Sequence, residues 1–275
     1  MGVPPRPSVS NDVVVDAYDR LATGYDLVVA PLEAGTRRRA IEALAVDPGD
    51  RVLELGCGPG HALVPFARLV DGGEYGDGDD TDSASNRVSG RTTERNRDHE
   101  SNHATGHATE RDTEDGSDQT SGHVIGLDAA PGMLSRADRR VSDAEKGERI
   151  DLARGDARRL PIATDCVDVV FVEDTLELFG PDAIRRVLAE CDRVLTEDGT
   201  LGVVTMEREG AERDRFVRWY EWVYRHVPGY DRMGCRPIYA RRALEAAGFE
   251  IERRERHRRW FVWPVDVLIA RPGRS

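Results

Sequence analysis

Three glycines at alternate positions, Gly56, Gly58 and Gly60, close the run Val52-Leu53-Glu54-Leu55-Gly56-Cys57-Gly58-Pro59-Gly60. The run joins an apolar stretch that reads as a buried strand to an amphipathic stretch that reads as a helix. Glycine lets the backbone turn tightly and approach a ligand closely. The helix that follows presents free N–H groups at its N-terminus. Together these suit a cradle for a nucleotide-like cofactor. The spacing is not G-x-x-x-x-G-K-S/T, which excludes a P-loop, and it departs from the dinucleotide pattern G-x-G-x-x-G. Taken alone, the loop also suits other nucleotide binders or an ordinary strand-to-helix turn.

Acidic positions follow at later strand ends. Asp128, in Gly126-Leu127-Asp128-Ala129, can accept from both hydroxyls of a ribose, or cap the helix that follows. Asp156, in Gly155-Asp156-Ala157, can accept from an exocyclic amine, or be a plain turn residue. Glu173 and Asp174 close the apolar run that starts at Val167. Ligands of open α/β sheets bind at the carboxyl ends of the strands. All four motifs fall there, and that coincidence makes one site of four weak pieces.

The elements that must hold them are legible from periodicity. Helices are expected over 11–25, 37–44, 62–70, 131–141 and 182–195, and strands over 51–55, 124–127, 150–153, 167–172 and 201–206. Strand-helix alternation implies a parallel sheet covered on both faces. Near the C-terminus, 249–256 and 261–270 are strand-like with a short connection, which suits an antiparallel pair. The basic run Arg253–Arg259, with His257, reads as exposed strand positions or a charge-protected edge.

Residues 71–123 break the pattern. They hold 14 acidic residues against 5 arginines, nine of the chain's twelve units of net negative charge, and almost no large apolar residue. Such a segment buries too little surface to offset chain entropy. It is expected to be a disordered acidic insertion at a surface turn of a single domain, 1–275. His99, His103 and His107 within it are spaced for one helical face, but without apolar periodicity they read as solvated chain, and no metal site is expected.

The acidic balance disfavours nucleic acid. No apolar run approaches a membrane span of roughly 20 residues, so no stable membrane insertion is expected. The N-terminus does not read as a signal peptide. Cysteines 57, 166, 191 and 235 form no CxxC pair, which fits a cytoplasmic protein. With Lys146 the only lysine, a Tyr/Lys oxidoreductase constellation is a poor reading.

The run from Tyr18 to Met206 resembles the class I S-adenosylmethionine-dependent methyltransferases, within the methyltransferase type 11 or ubiquinone–menaquinone biosynthesis-like group. The resemblance implies a Rossmann-like, doubly wound, mostly parallel seven-stranded sheet with an antiparallel C-terminal strand. It implies S-adenosylmethionine as cofactor and methylation of a small-molecule acceptor, with a quinone or lipid-like compound as one candidate. By resemblance, Glu54, Gly56, Cys57, Gly58 and Gly60 form the loop at the methionine part. Asp128 takes the ribose, with Ala129 and Met133 beside the adenine. Asp156 and Ala157 contact the adenine, and Glu173 lies near the methionine moiety. Tyr18 and Tyr25 match a segment that closes over the cofactor.

The resemblance fades after Met206. There, 207–240 is expected to cover the substrate, with Phe216, Trp219, Tyr220, Trp222, Tyr224 and Tyr230 either packing in the core or lining an apolar pocket. Asp174, Trp219, Tyr230 and Arg236 are the substrate candidates. Arg236 either holds an anionic group or is a surface arginine. In-line displacement at a sulfonium draws much of its rate from alignment, and a general base is needed only if the nucleophile must lose a proton. Glu173 and Asp174 could serve as one, or as cofactor contact and helix cap. A non-catalytic cofactor-binding regulator on the same fold is the alternative. Oligomeric state is not legible.

Overall fold

The computed structural model describes residues 13, 15–19, 30–76, 122–227, 235–259 and 262–273. After a helical stretch at 15–19 come α1 (Ala30–Leu44), β1 (Arg51–Leu55), α2 (Leu63–Val70), β2 (His123–Asp128), α3 (Pro131–Ser142) and β3 (Ile150–Arg154). Then follow β4 (Val167–Glu173), α4 (Pro181–Val194), β5 (Leu195–Met206), α5 (Arg215–His226), α6 (Ala240–Ala246), β6 (Phe249–Arg259) and β7 (Trp263–Pro272).

The seven strands form one sheet in the order β3-β2-β1-β4-β5-β7-β6. The first five are parallel to one another, and β7 is antiparallel to both β5 and β6. This is the sheet expected from sequence. β1 and β4 lie at its centre and are apolar on both faces, as strands covered on both sides must be. Side chains alternate between faces. Thus Leu53 and Val170 join one core with α4 and α6, while Val52 and Val169 join the other with α1, α2 and α3. The strand order reverses between β1 and β4, and a ligand crevice forms at such a point.

The structure extends three expectations. α1 begins at Ala30, not at 37, with Pro31 in the first turn where proline is tolerated. Its apolar periodicity is weak because polar residues Glu33, Thr36 and Arg37 are buried on it. β5 reaches back to Leu195, through a register irregularity against β4. β2 begins at His123. Most of the 71–123 segment, and most of the expected helix 11–25 with Tyr25, lie outside the described residues. Among the described residues no helix is long and apolar enough to cross a membrane.

Candidate functional site

β1 delivers Leu55 to the middle of the sheet, and the chain must then turn away to reach α2. It does so through left-handed glycines, with φ of +69° at Gly56, +52° at Gly58 and +80° at Gly60. The amides of Gly56 and Cys57 both donate to the Leu127 carbonyl, at 2.7 and 3.1 Å, and pin the loop to the end of β2. The glycines serve different ends. A Cβ on Gly56 would sit 2.2 Å from Thr175 Oγ1, and one on Gly60 3.2 Å from the Ala137 Cβ. On Gly58 it would meet nothing within 4 Å.

Beyond the loop lies a cleft, partly open to solvent, with a cavity volume of about 110 Å³. Its wall brings together Tyr18, Gly56, Gly58, Asp128, Ala129, Met133, Asp156, Ala157, Glu173 and Asp174, all expected from sequence. Glu54, Cys57 and Gly60 stand off the wall. Cys57 is buried in the core, Gly60 packs on α3, and Glu54 is buried within β1. The sequence missed Val15, Thr175, Leu178 and Phe179 on the wall. The last three lie on or beside a 3₁₀ turn that leaves no periodic signal.

Asp128 is held in place by two backbone donors. Its Oδ2 accepts from Gly58 N at 2.9 Å and its Oδ1 from Ala130 N at 2.8 Å. Each oxygen keeps a lone pair for a ligand hydroxyl. Burial pushes its carboxyl up against those hydrogen bonds. The Asp128 side chain is not the cap of α3. That position is Ala130, and the first-turn amide of Gly132 donates instead to Asp19 Oδ1, at 2.7 Å. Asp19 thereby ties the N-terminal stretch to the site. Asp156 is gripped by Arg158, whose Nη2 is 2.6 Å from Oδ2 and whose pairing holds the carboxyl low.

At the end of β4 the cavity meets a buried charge cluster. Arg37 Nε donates to Glu173 Oε2 at 2.6 Å, and Arg37 Nη2 lies 3.1 Å from Glu33 Oε2. Arg259 Nη1 donates to Asp174 Oδ2 at 2.6 Å. Asp174 is a non-glycine residue with φ of +46°. Glu33, Glu173 and Asp174 bring ligand oxygens within 4.8 Å of one another, with Arg37 and Arg259 among them. Glu173 Oε1 and Asp174 Oδ1 are buried with no hydrogen-bond partner among the described residues, the former 3.9 Å from Arg259 Nη2. Burial raises Glu33 and Glu173, and also Tyr18, whose shift neighbouring acids increase. Glu177 on the 3₁₀ turn is pushed to about 8 by burial and by Asp174, although Thr205 Oγ1 donates to it at 2.7 Å.

Two expectations about the covering segment are corrected. Trp219 is 56% and Trp222 55% exposed, so neither lines the cavity. The buried residues of α5 are Val217, Tyr220 and Tyr224, at the same helical spacing. Arg236 lies off the cavity wall, with its guanidinium 5.6 Å from the Tyr224 ring centre. Tyr230 lies outside the described residues.

Comparison with known proteins agrees with this geometry. A methyltransferase domain model matches residues 104–199. A demethylmenaquinone methyltransferase of Lactobacillus johnsonii is 27% identical over 207 residues, 72% of this chain and 64% of that protein. The chain therefore spans less than two thirds of that relative's length. A 2-phytyl-1,4-naphtoquinone methyltransferase of Synechococcus elongatus is 26% identical over 83% of this chain and 78% of its own. The magnesium protoporphyrin IX methyltransferase of Synechocystis, solved with bound SAH, superposes with a TM-score of 0.59 at 16% identity, covering 97% of this chain and 100% of that one.

Proposed function

We propose that this chain is a class I S-adenosylmethionine-dependent methyltransferase and that it transfers a methyl group to a small-molecule acceptor of the naphthoquinone type, a reading supported by the methyltransferase domain match and the shared fold. The observation that carries the reading is the charge balance at the end of β4. Four carboxyl groups, of Glu33, Glu173, Asp174 and Glu177, are met there by two guanidinium groups, of Arg37 and Arg259. Buried charge without a partner is costly, so the cluster calls for protons or for a cationic ligand. S-adenosylmethionine carries a sulfonium and an ammonium against one carboxylate. The oxygens of Glu173 and Asp174 that accept no hydrogen bond among the described residues suit its ammonium, while Asp128, further along the wall, suits its ribose.

The bound cofactor supplies an electrophilic methyl carbon. This chain's residues do the rest by placement. Asp128 fixes the ribose through an oxygen pair already oriented by Gly58 and Ala130. Val15, Leu178 and Phe179 give the cavity an apolar flank that excludes water and accepts an aromatic ring. Alignment of acceptor and methyl supplies much of the rate. Glu173 and Asp174 are each already held by an arginine, so they are read as orienting groups, and no base is assigned. The acceptor class draws on the two naphthoquinone-type relatives.

The whole chain is read as one domain, with 71–123 inserted. A cytoplasmic location fits its free cysteines. The regulatory alternative lacks a comparable observation in its favour. Titration calorimetry with S-adenosylmethionine and its demethylated product is the first test, and no heat with either would end the reading. Methyl transfer to a soluble demethylated naphthoquinone then tests the acceptor.

A further inference from the structure

α5 turns an unusual face outward. Val217, Tyr220 and Tyr224 are buried, with Tyr220 packing edge-on against Trp263. The opposite face exposes Arg215, Arg218, Trp219, Trp222, Arg225 and His226. Residues 215, 219, 222 and 226 are spaced by four, three and four, so they form one stripe, flanked by 218 and 225. Trp219 and Trp222 each leave more than half their surface in water. Arg215 and Arg218 have no ion pair among the described residues. Glu221 on the same helix is taken up by Arg208 at 2.6 Å and Arg225 at 3.1 Å. The face is thus cationic and indole-rich on a chain of net charge −12. Charge acts locally, because screening falls within about 10 Å at ordinary ionic strength.

We propose that this face docks the protein on an anionic lipid surface. Tryptophan prefers the boundary between headgroups and acyl chains, and arginine pairs with anionic headgroups. A helix of twelve residues is too short to span, so it lies in the plane of the interface. The face is also coupled to the cavity. The Tyr220 hydroxyl donates to the Cys235 carbonyl at 2.8 Å, the Cys235 side chain bears electrostatically on Tyr18, and Tyr18 lines the cavity. Docking there sets the site beside the bilayer, where a lipid-soluble acceptor is dissolved. That benefit, though not the docking itself, rests on the naphthoquinone reading.

The test is co-sedimentation of the full chain with phosphatidylcholine vesicles, with and without phosphatidylglycerol. Binding is expected only with phosphatidylglycerol, with a blue shift of tryptophan emission and a loss of binding on adding salt. R215Q and R218Q should each weaken it roughly fivefold. W219S/W222S should abolish it and leave cofactor affinity by calorimetry unchanged. Equal binding to both vesicles, or binding indifferent to these substitutions, would overturn the proposal. So would a dimer in size-exclusion chromatography that the W219S/W222S variant loses while vesicles go unbound, since the face would then belong to a second copy. Vesicle binding without any heat of cofactor binding would leave the docking standing and remove the methyl-transfer reading.

Discussion

Arg37 and Glu173 form a buried ion pair 2.6 Å long that joins α1 to the carboxyl end of β4, with both side chains less than a tenth exposed. The pair holds a helix against the sheet at the point where the cavity needs negative charge. Arg37→Met removes the nearer cation from buried Glu173 and Glu33, leaving Glu173 to Arg259 at 3.9 Å. A loss of about 3–5 kcal/mol of unfolding free energy is expected, since breaking a buried pair strands the remaining charge. Removing both members, in Arg37→Met/Glu173→Met, should restore much of it. Urea unfolding measures both. A single variant as stable as the parent would show that the pair is not structural.

The glycine loop separates two kinds of requirement. Gly56→Ala would force a Cβ into Thr175, so a marked fall in melting temperature is expected. Gly58→Ala has space but keeps a positive φ, a strain of about 1–2 kcal/mol, and its methyl would occupy the ligand's approach. It should melt near the parent and bind the cofactor at least tenfold more weakly. The opposite ranking in thermal melts and calorimetry would refute the assignment.

Asp128→Ala removes the acceptor for Gly58 N and Ala130 N as well as for the ribose. Hydrogen bonds to a charged group contribute roughly 1.5–3 kcal/mol each, so losing two to a ligand means a drop of at least a hundredfold in affinity. Calorimetry reads it directly. Asp128→Asn, which keeps an acceptor oxygen, should fall between.

Glu177 makes stability depend on pH in a direction opposite to most surface acids. Its folded value is about 8, above the ordinary 4.5, because it is buried and faces Asp174. Between those values the folded state binds a proton that the unfolded chain has released. Stability is therefore fully present below about 4.5 and declines as pH rises to about 8, by at most about 1.4 kcal/mol per pH unit. Glu177→Gln, which mimics the protonated side chain, should flatten that decline and be the more stable protein at pH 8. Denaturant midpoints across pH 5–9 check this. A parallel pH dependence in parent and variant would exclude Glu177 as the cause.

The sheet and most of the site wall were legible because apolar runs fix where strands end, and in an α/β sheet the strand ends are the site. Asp128, Asp156 and Glu173 needed no more than that. The start of α1 was hidden because it buries Glu33, Thr36 and Arg37, and hydrophobic periodicity is blind to a charged inner face. Leu178 and Phe179 reach the wall through a 3₁₀ turn, and Asp19 reaches Gly132 across more than a hundred residues of chain. The error over Trp219 and Trp222 has a simple source. A helix with aromatic residues at nearly every turn offers two candidate inner faces, and only packing against Trp263 decides between them.

β2 starts with His123 at its amino end, whereas the cavity gathers at the carboxyl end of that strand. About 15–20 Å of β-strand separate the two. At that amino end two residues are anchored, Asp71 to Lys146 at 2.6 Å and His123 N to the Asp50 carbonyl at 3.0 Å. Changes at Asp71 or His123 are therefore expected to alter stability and leave ligand affinity unchanged, since both anchors sit at the end of β2 away from the cavity.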